Sequence, residues 1–188
     1  MRHIVFLLEE LSARKLLEGL LPRLFPAGLE PRYIVFEGKS DLERQLVRRL
    51  RGYQVPDARF VVLRDQDSAD CREIKGNLQA KCSETGRSVL VRIACHELES
   101  WYLGDLTAVE SALGAVGVAA QQEKRNYRDP DAFPSPSATL KTLAPNYQKV
   151  DGSRALGLRL SLEGNRSKSY NAFLDGVRRL ADDGSSGA

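Results

Sequence analysis

The sequence predicts an α/β fold: a largely parallel sheet of about four strands flanked by helices on both faces, with a helical C-terminal extension. Three observations predict it. Four short apolar runs, His3 to Leu8, Tyr33 to Phe36, Phe60 to Leu63 and Val89 to Cys95, alternate with segments whose leucines recur at helical spacing. The connections are long enough to hold crossover helices, which parallel strands require and hairpins do not. The chain has 188 residues, 42% hydrophobic and 28% charged, at a mean hydropathy of -0.35. That is one generous core, neither a disordered chain nor a multidomain machine.

Each element has a local reason. His3 to Leu8 is continuously apolar after its first residue, as in a strand covered on both faces. Leu16, Leu17, Leu20, Leu21 and Leu24 then mark a helix, with Pro22 and Pro26 where it loosens and stops. After the second strand and Gly38, the spacing of Ser40 to Glu43 predicts a capping box for a helix that buries Leu42, Leu46 and Leu50 and ends at Gly52. The third strand runs out at Arg64 and Asp65. Behind it Cys71, Ile74, Leu78 and Cys82 share a helix face that Gly86 closes, with Asp67 or Ser68 as possible caps. After the fourth strand comes His96 to Asp105, then a helix over Leu106 to Leu113 with Thr107 and Glu110 as a second capping box. Gln121 to Pro136 is polar and proline-bearing and reads as a long loop. Ser137 to Leu143 is a short helix, Arg154 to Leu162 has no clear period, and Tyr170, Phe173, Leu174, Val177 and Leu180 define a final amphipathic helix. The expected organisation is an α/β core over residues 1–120, a mostly helical basic lobe over 121–180, and a disordered tail over 181–188.

Cys71, Cys82 and Cys95 contain no C-x-x-C pair and read as reduced, small packing residues. The first apolar run is too short for a secretory or membrane segment, so the expected location is the cytoplasm, with no membrane partner. Lysine and arginine exceed aspartate and glutamate by only 28 to 25, which excludes a protein that coats nucleic acid through bulk charge. Any such contact is local. From Lys141 to Arg179 the balance is eight bases to three acids, net +5, leaving net -2 elsewhere.

The acids gather where strands end. Glu9 and Glu10 follow the first strand, Asp65 and Asp67 the third, and Glu97 and Glu99 the fourth. Ligand sites of open parallel sheets lie at that carboxyl edge. Acids two apart in extended backbone leave the same face, and such an all-oxygen set suits Mg²⁺ or Mn²⁺ rather than zinc. Any single cluster is more simply a helix cap; the coincidence of three favours a metal site. Other motifs fail. FEGKS has Tyr33 where a phosphate-binding loop needs glycine, HELES has Ser100 where a zinc protease needs its second histidine, and DQDSAD lacks the turn glycine of a calcium loop. His3 and His96 are the only histidines, and His96 borders the acids as a supporting group at most.

The segments LEELSA, EGKSDLERQLVRRL, VVLRDQDSADC and RIACHELESWYLGD, with YQKV and RSKSYNAF, resemble a bacterial family of unknown function, family 4276 in the domain-of-unknown-function series, within the Toprim-like superfamily. The resemblance reaches to about Leu180 and is most specific at ELESWYLGD. It implies a Toprim-like fold and a metal-dependent nuclease, with Glu9 as metal ligand or general acid/base, Asp65 and Asp67 as a metal pair, and Glu97 and Glu99 as further acidic ligands. Glu10 stands where the family usually has glycine, which puts the turn at Glu9 in question.

On this reading Mg²⁺ or Mn²⁺ held by Glu9, Asp65, Asp67 and Glu97 acts in phosphodiester hydrolysis. Lys149, Arg154, Arg166 and Lys168 hold the nucleic-acid backbone, with DNA the expected partner, and Lys168 stabilises the transition state. Resemblance to two-component anti-phage systems implies an ABC-type or SMC-like ATPase partner. Trp101 and Tyr102 are read as core rather than as base-stacking platforms. Two other functions stand beside this one: a non-catalytic interaction module, and a metal-dependent phosphatase for small phosphate esters, weakened because its DxD would follow the first strand.

Overall fold

The computed structural model describes residues 3–182. The four apolar runs form one parallel sheet in the order β2-β1-β3-β4, from β1 (His3–Leu8), β2 (Glu30–Val35), β3 (Arg59–Asp65) and β4 (Val89–Ala94). Between and after them come α1 (Leu11–Leu24), α2 (Lys39–Gly52), α3 (Cys71–Ser83), α4 (Glu99–Leu103), α5 (Leu106–Leu113), α6 (Pro136–Leu143), α7 (Lys149–Gly157) and α8 (Lys168–Asp182). Alternate side chains of a strand leave opposite faces. Val5, Leu7, Phe60 and Val62 therefore meet Leu42, Leu46 and Leu50 of α2 and Ile74, Leu78 and Cys82 of α3. On the other face Ile4, Phe6, Leu8, Val61 and Leu63 meet α1 and the C-terminal helices in one continuous cluster.

Helix starts depart from the expected caps because tertiary contacts choose among local acceptors. Gly38, at φ +89°, caps α2, and its amide is held by the Glu9 carbonyl at 3.1 Å, so Ser40 falls inside the first turn. Asp41, not Glu43, accepts the Glu37 amide at 3.3 Å. Asp105 caps α5 through the Ala108 amide at 3.0 Å in place of Thr107, and Glu110 instead accepts the Ala119 amide at 2.9 Å. Asp70, rather than Asp67 or Ser68, caps α3 through the amides of Arg72 and Glu73, at 2.8 and 2.9 Å.

The expected loop before Pro136 is wound into three short 3₁₀ turns, Ala119–Glu123, Arg125–Tyr127 and Pro130–Ala132, which bury Tyr127 and Pro130. The stretch without a clear period is the end of α7 and the turn after it. Ala181, expected in a disordered tail, is buried in α8 with Asp182 as the helix's last residue. The rest of that expectation, 183–188, lies outside the described residues.

The seating of α7 on α1 positions the site. A Cβ at Gly157 would lie 2.3 Å from the Leu16 carbonyl oxygen, and one at Gly19 would lie 2.8 Å from the Gly157 carbonyl carbon. Backbone meets backbone there, so neither side has a flexible group that can yield. Gly157→Ala is expected to lose about 1–3 kcal/mol of stability by overpacking, read by thermal melting. A melt unchanged within error would show that α7 adjusts freely.

Candidate active site

β1 and β3 lie side by side, and the chain leaves them in opposite directions, to β2 and to β4. That reversal opens a crevice at their carboxyl ends, and Glu9 and Asp65 stand at its two sides. Glu9 continues the ladder, its amide donating to the Leu63 carbonyl at 3.3 Å, while its Oε2 accepts the Asp65 amide at 3.1 Å. Glu10 has φ -140°, extended backbone that any residue adopts, so the missing glycine costs the turn nothing. Glu99, at the start of α4, is 1% exposed and faces the same crevice. Its Oε1 accepts from the Tyr147 hydroxyl at 2.9 Å, whereas its Oε2 is buried with no hydrogen-bond partner.

Burial is the main force on these acids. It pushes the carboxyls of Glu9 and Glu99 above their ordinary range, with repulsion from Asp67 and Glu10 adding to the effect at Glu9. Asp65 is pushed well above, first by burial and then by the charges of Glu9 and Glu99. A small part of Asp65 remains on the surface, yet its carboxyl is enclosed by protein.

Two cations answer the acids: Arg64, itself buried, has its Nε 4.0 Å from Glu9 Oε2 and works to lower the Glu9 pKa, and Lys149, the first residue of α7, has its Nζ 2.6 Å from Glu10 Oε2. Desolvation works to lower the Lys149 pKa, but the bond to Glu10 and the charges of Glu99, Glu10 and Asp65 outweigh it and hold the ammonium above its usual value. Glu9, Glu10, Ser12, Asp65 and Leu98 surround a cavity of about 10 Å³, roughly the space one water needs.

The expected residues do not all converge. Glu9 and Glu99 each stand close enough to Asp65 for their charges to act on it, and Asp67 acts on Glu9 from its bond to Lys39, whereas Glu97 turns away. Asp67 adopts φ +55°, which ends the extended geometry on which the same-face argument depended, and its Oδ2 pairs with Lys39 Nζ at 2.7 Å. His96, at φ +56°, likewise redirects the chain after β4. Glu97 then caps α6, accepting the Ser137 amide at 2.7 Å and hydroxyl at 3.0 Å. Lys168 is spent on Asp129 at 3.2 Å, Arg154 on Asp151 at 2.6 Å, and Arg166 on Glu123. The lysine among the acids is Lys149, placed beforehand on a nucleic-acid backbone. Glu10 was counted among the strand-end acids but given no role, and Tyr147 was missed, its only signal being the YQKV segment.

Among the described residues no three Asp, Glu, His or Cys side chains are gathered closely enough to hold an ion as they stand. The donor chemistry nevertheless fits a hard divalent cation. It is all oxygen, it includes the unpartnered Glu99 Oε2, and its members resist ionisation together.

The chain is of the parallel α/β class, with desolvated carboxyls at the strand-end switch point where open sheets of this class bind ligands. Residues 8–178 match the model of the family described as Domain of unknown function (DUF4276), and the chain belongs to that family. Comparison with curated proteins and with solved structures finds no match. No helix among the described residues is long and apolar enough to cross a membrane.

Proposed function

We propose that the chain is a Mg²⁺- or Mn²⁺-dependent phosphodiester hydrolase acting on nucleic acid, a nuclease of Toprim-like type. The observation that supports the reading is the desolvated Asp65 at the switch point with the charges of Glu9 and Glu99 acting on it, one Glu99 oxygen being buried and unpartnered. Desolvated, perturbed acids with an unpartnered carboxylate oxygen are found more often at functional sites than in structural cores. Glu9, Asp65 and Glu99 would hold the cation, which when bound neutralises the phosphodiester and acidifies water.

The chain's own residues supply the rest. Glu9, through the carboxylate oxygen not given to the cation, takes the proton of the attacking water as the new P–O bond forms. The bond to the leaving oxygen breaks in line, and that oxygen takes a proton from solvent. Lys149 opposes the negative charge that grows on the phosphoryl oxygens, and Tyr147 fixes the Glu99 carboxylate. The resemblance to two-component defence systems extends the proposal to an ABC-type or SMC-like ATPase partner.

The test is incubation of plasmid and of linear single-stranded DNA with Mg²⁺ or Mn²⁺, where products appearing only with metal support the hydrolase. Lys149→Ala is expected to slow cleavage by about 10²-fold with DNA binding retained. Equal loss of binding and cleavage would remove Lys149 from the chemistry. One observation favours a second reading, an interaction module whose polar centre is structural: Lys149 already sits among the acids with part of their charge answered. On that reading calorimetric titration with Mn²⁺ shows no heat, and Lys149→Ala changes stability alone.

A further inference from the structure

The residues first expected to grip a nucleic-acid backbone are each paired with an acid: Lys149 with Glu10, Arg154 with Asp151, Arg166 with Glu123 and Lys168 with Asp129. Helix α2 is the reverse. Arg44, Arg48 and Arg51 recur at i, i+4 and i+7, on the face opposite the buried Leu42, Leu46 and Leu50, and all three are exposed. Arg49 is exposed on the flank. Arg44 alone meets an acid, Asp41 at 2.5 Å. Arg48 reaches only Gln45 Oε1 at 3.5 Å and Arg51 only the Glu84 carbonyl at 3.1 Å. Arg49 has no hydrogen bond or ion pair with any described residue.

Like charges one helical turn apart destabilise a helix, and a glutamate at any of these positions would relieve it. The helix dipole favours Arg49 and Arg51 in the last turn, and an arriving polyanion would offset the repulsion that remains along the face. Arg48 and Arg49 also border a cavity of about 290 Å³ with Ile34, Gly52 and Tyr53. The helix starts at the candidate site: the Gly38 amide donates to the Glu9 carbonyl, and Lys39 pairs with Asp67. At about 1.5 Å per residue the arginine face leads roughly 18 Å away from that edge.

We propose that the exposed face of α2, with Arg44, Arg48, Arg49 and Arg51, is the docking strip for a nucleic-acid backbone entering the acidic crevice. The proposal rests on the hydrolase reading for what happens at the crevice, and on charge and geometry alone for the docking. The arginines act on phosphates rather than bases, so binding is independent of sequence and falls steeply with salt.

The experiment is fluorescence anisotropy of labelled single-stranded and duplex DNA against the full chain in EDTA, over a series of salt concentrations. The Arg48→Ala/Arg49→Ala/Arg51→Ala variant is expected to bind about 10–100-fold more weakly. Its salt slope should flatten by roughly 2–3, at about 0.7 to 0.9 per lost phosphate contact. The matching lysine triple variant restores most of the affinity, and Arg154→Ala/Lys168→Ala stays within about twofold of wild type. Alanine-variant binding equal to wild type at an unchanged melting temperature overturns the strip. So does a wild type that ignores DNA but binds anionic vesicles or polyglutamate through these arginines. Metal-free binding through α2 without any cleavage when metal is added leaves the strip standing and removes the hydrolase; cleavage undiminished in the alanine variant does the converse.

Discussion

Asp65→Asn is expected to abolish metal-dependent cleavage while raising the melting temperature of the metal-free protein. The activity arm is a fall of about 10³-fold, because asparagine keeps the shape but cannot carry the charge that holds a divalent cation. The backbone geometry survives, since Glu9 binds the Asp65 amide rather than its carboxyl. The stability arm follows from linkage. Asp65, Glu9 and Glu99 have folded pKa values above their ordinary ones, so between those values the folded chain binds more protons than the unfolded chain.

Metal-free stability therefore declines as pH rises from about 4, the ordinary carboxyl range, through the raised folded values. Lys149 acts in the same direction at the alkaline end: its raised pKa supplies stability that is fully present below its ordinary value and is lost as pH passes the folded one. Asparagine removes the most strongly perturbed acid, and a gain of about 1–3 kcal/mol, the scale of an uncompensated buried polar group, is expected near neutral pH. Mn²⁺ should raise the melting temperature of wild type and not of the variant. A variant that melts below wild type at pH 7 without metal would show that the carboxylate is satisfied, and the case for a cation there would go with it.

Trp101→Ala is expected to cost about 3–5 kcal/mol, the range for emptying a large buried aromatic site. The indole is fully buried, with ring centroids 5.3 Å from Tyr170 and 5.1 Å from Phe173, and its Nε1 donates to the Ser169 hydroxyl at 2.9 Å. That hydroxyl also donates to Asp131 at 3.1 Å, and the Asp131 carboxylate accepts the Ser169 amide near the start of α8 at 2.8 Å. The variant thus leaves a cavity and takes from the Ser169 hydroxyl the donor it accepts, and it loosens the helix that carries Glu99. Far-ultraviolet circular dichroism in urea measures the loss, since Trp101 is the chain's only tryptophan. Trp101→Phe should lose distinctly less. A loss under about 1 kcal/mol for the alanine variant would contradict close packing around α4.

How much of this was legible beforehand can be followed residue by residue. β1 and β3 are central and covered on both faces, so their apolar runs announced themselves, and Leu42, Leu46 and Leu50 announced the buried side of α2. Trp101 was readable as core for the same reason. Cap choice was not readable: Ser40 and Thr107 carry the right chemistry, but Gly38 and Asp105 are held by contacts from distant segments. The C-terminal lysines and arginines looked available because their partners, Glu10, Glu123 and Asp129, lie far away in sequence.

By itself, then, the sequence determined the parallel α/β architecture and the placing of acids after three of its strands, because hydrophobic period and strand length are properties of neighbouring residues. Only the tertiary structure decided which acids meet. The left-handed backbone at Asp67 and His96 turns Asp67 onto Lys39 and Glu97 onto Ser137, and the glycine contact of α7 with α1 brings Lys149 in among Glu10, Asp65 and Glu99. Which charges face one another depends on a backbone turn and a close helix approach, and no one-dimensional period records either.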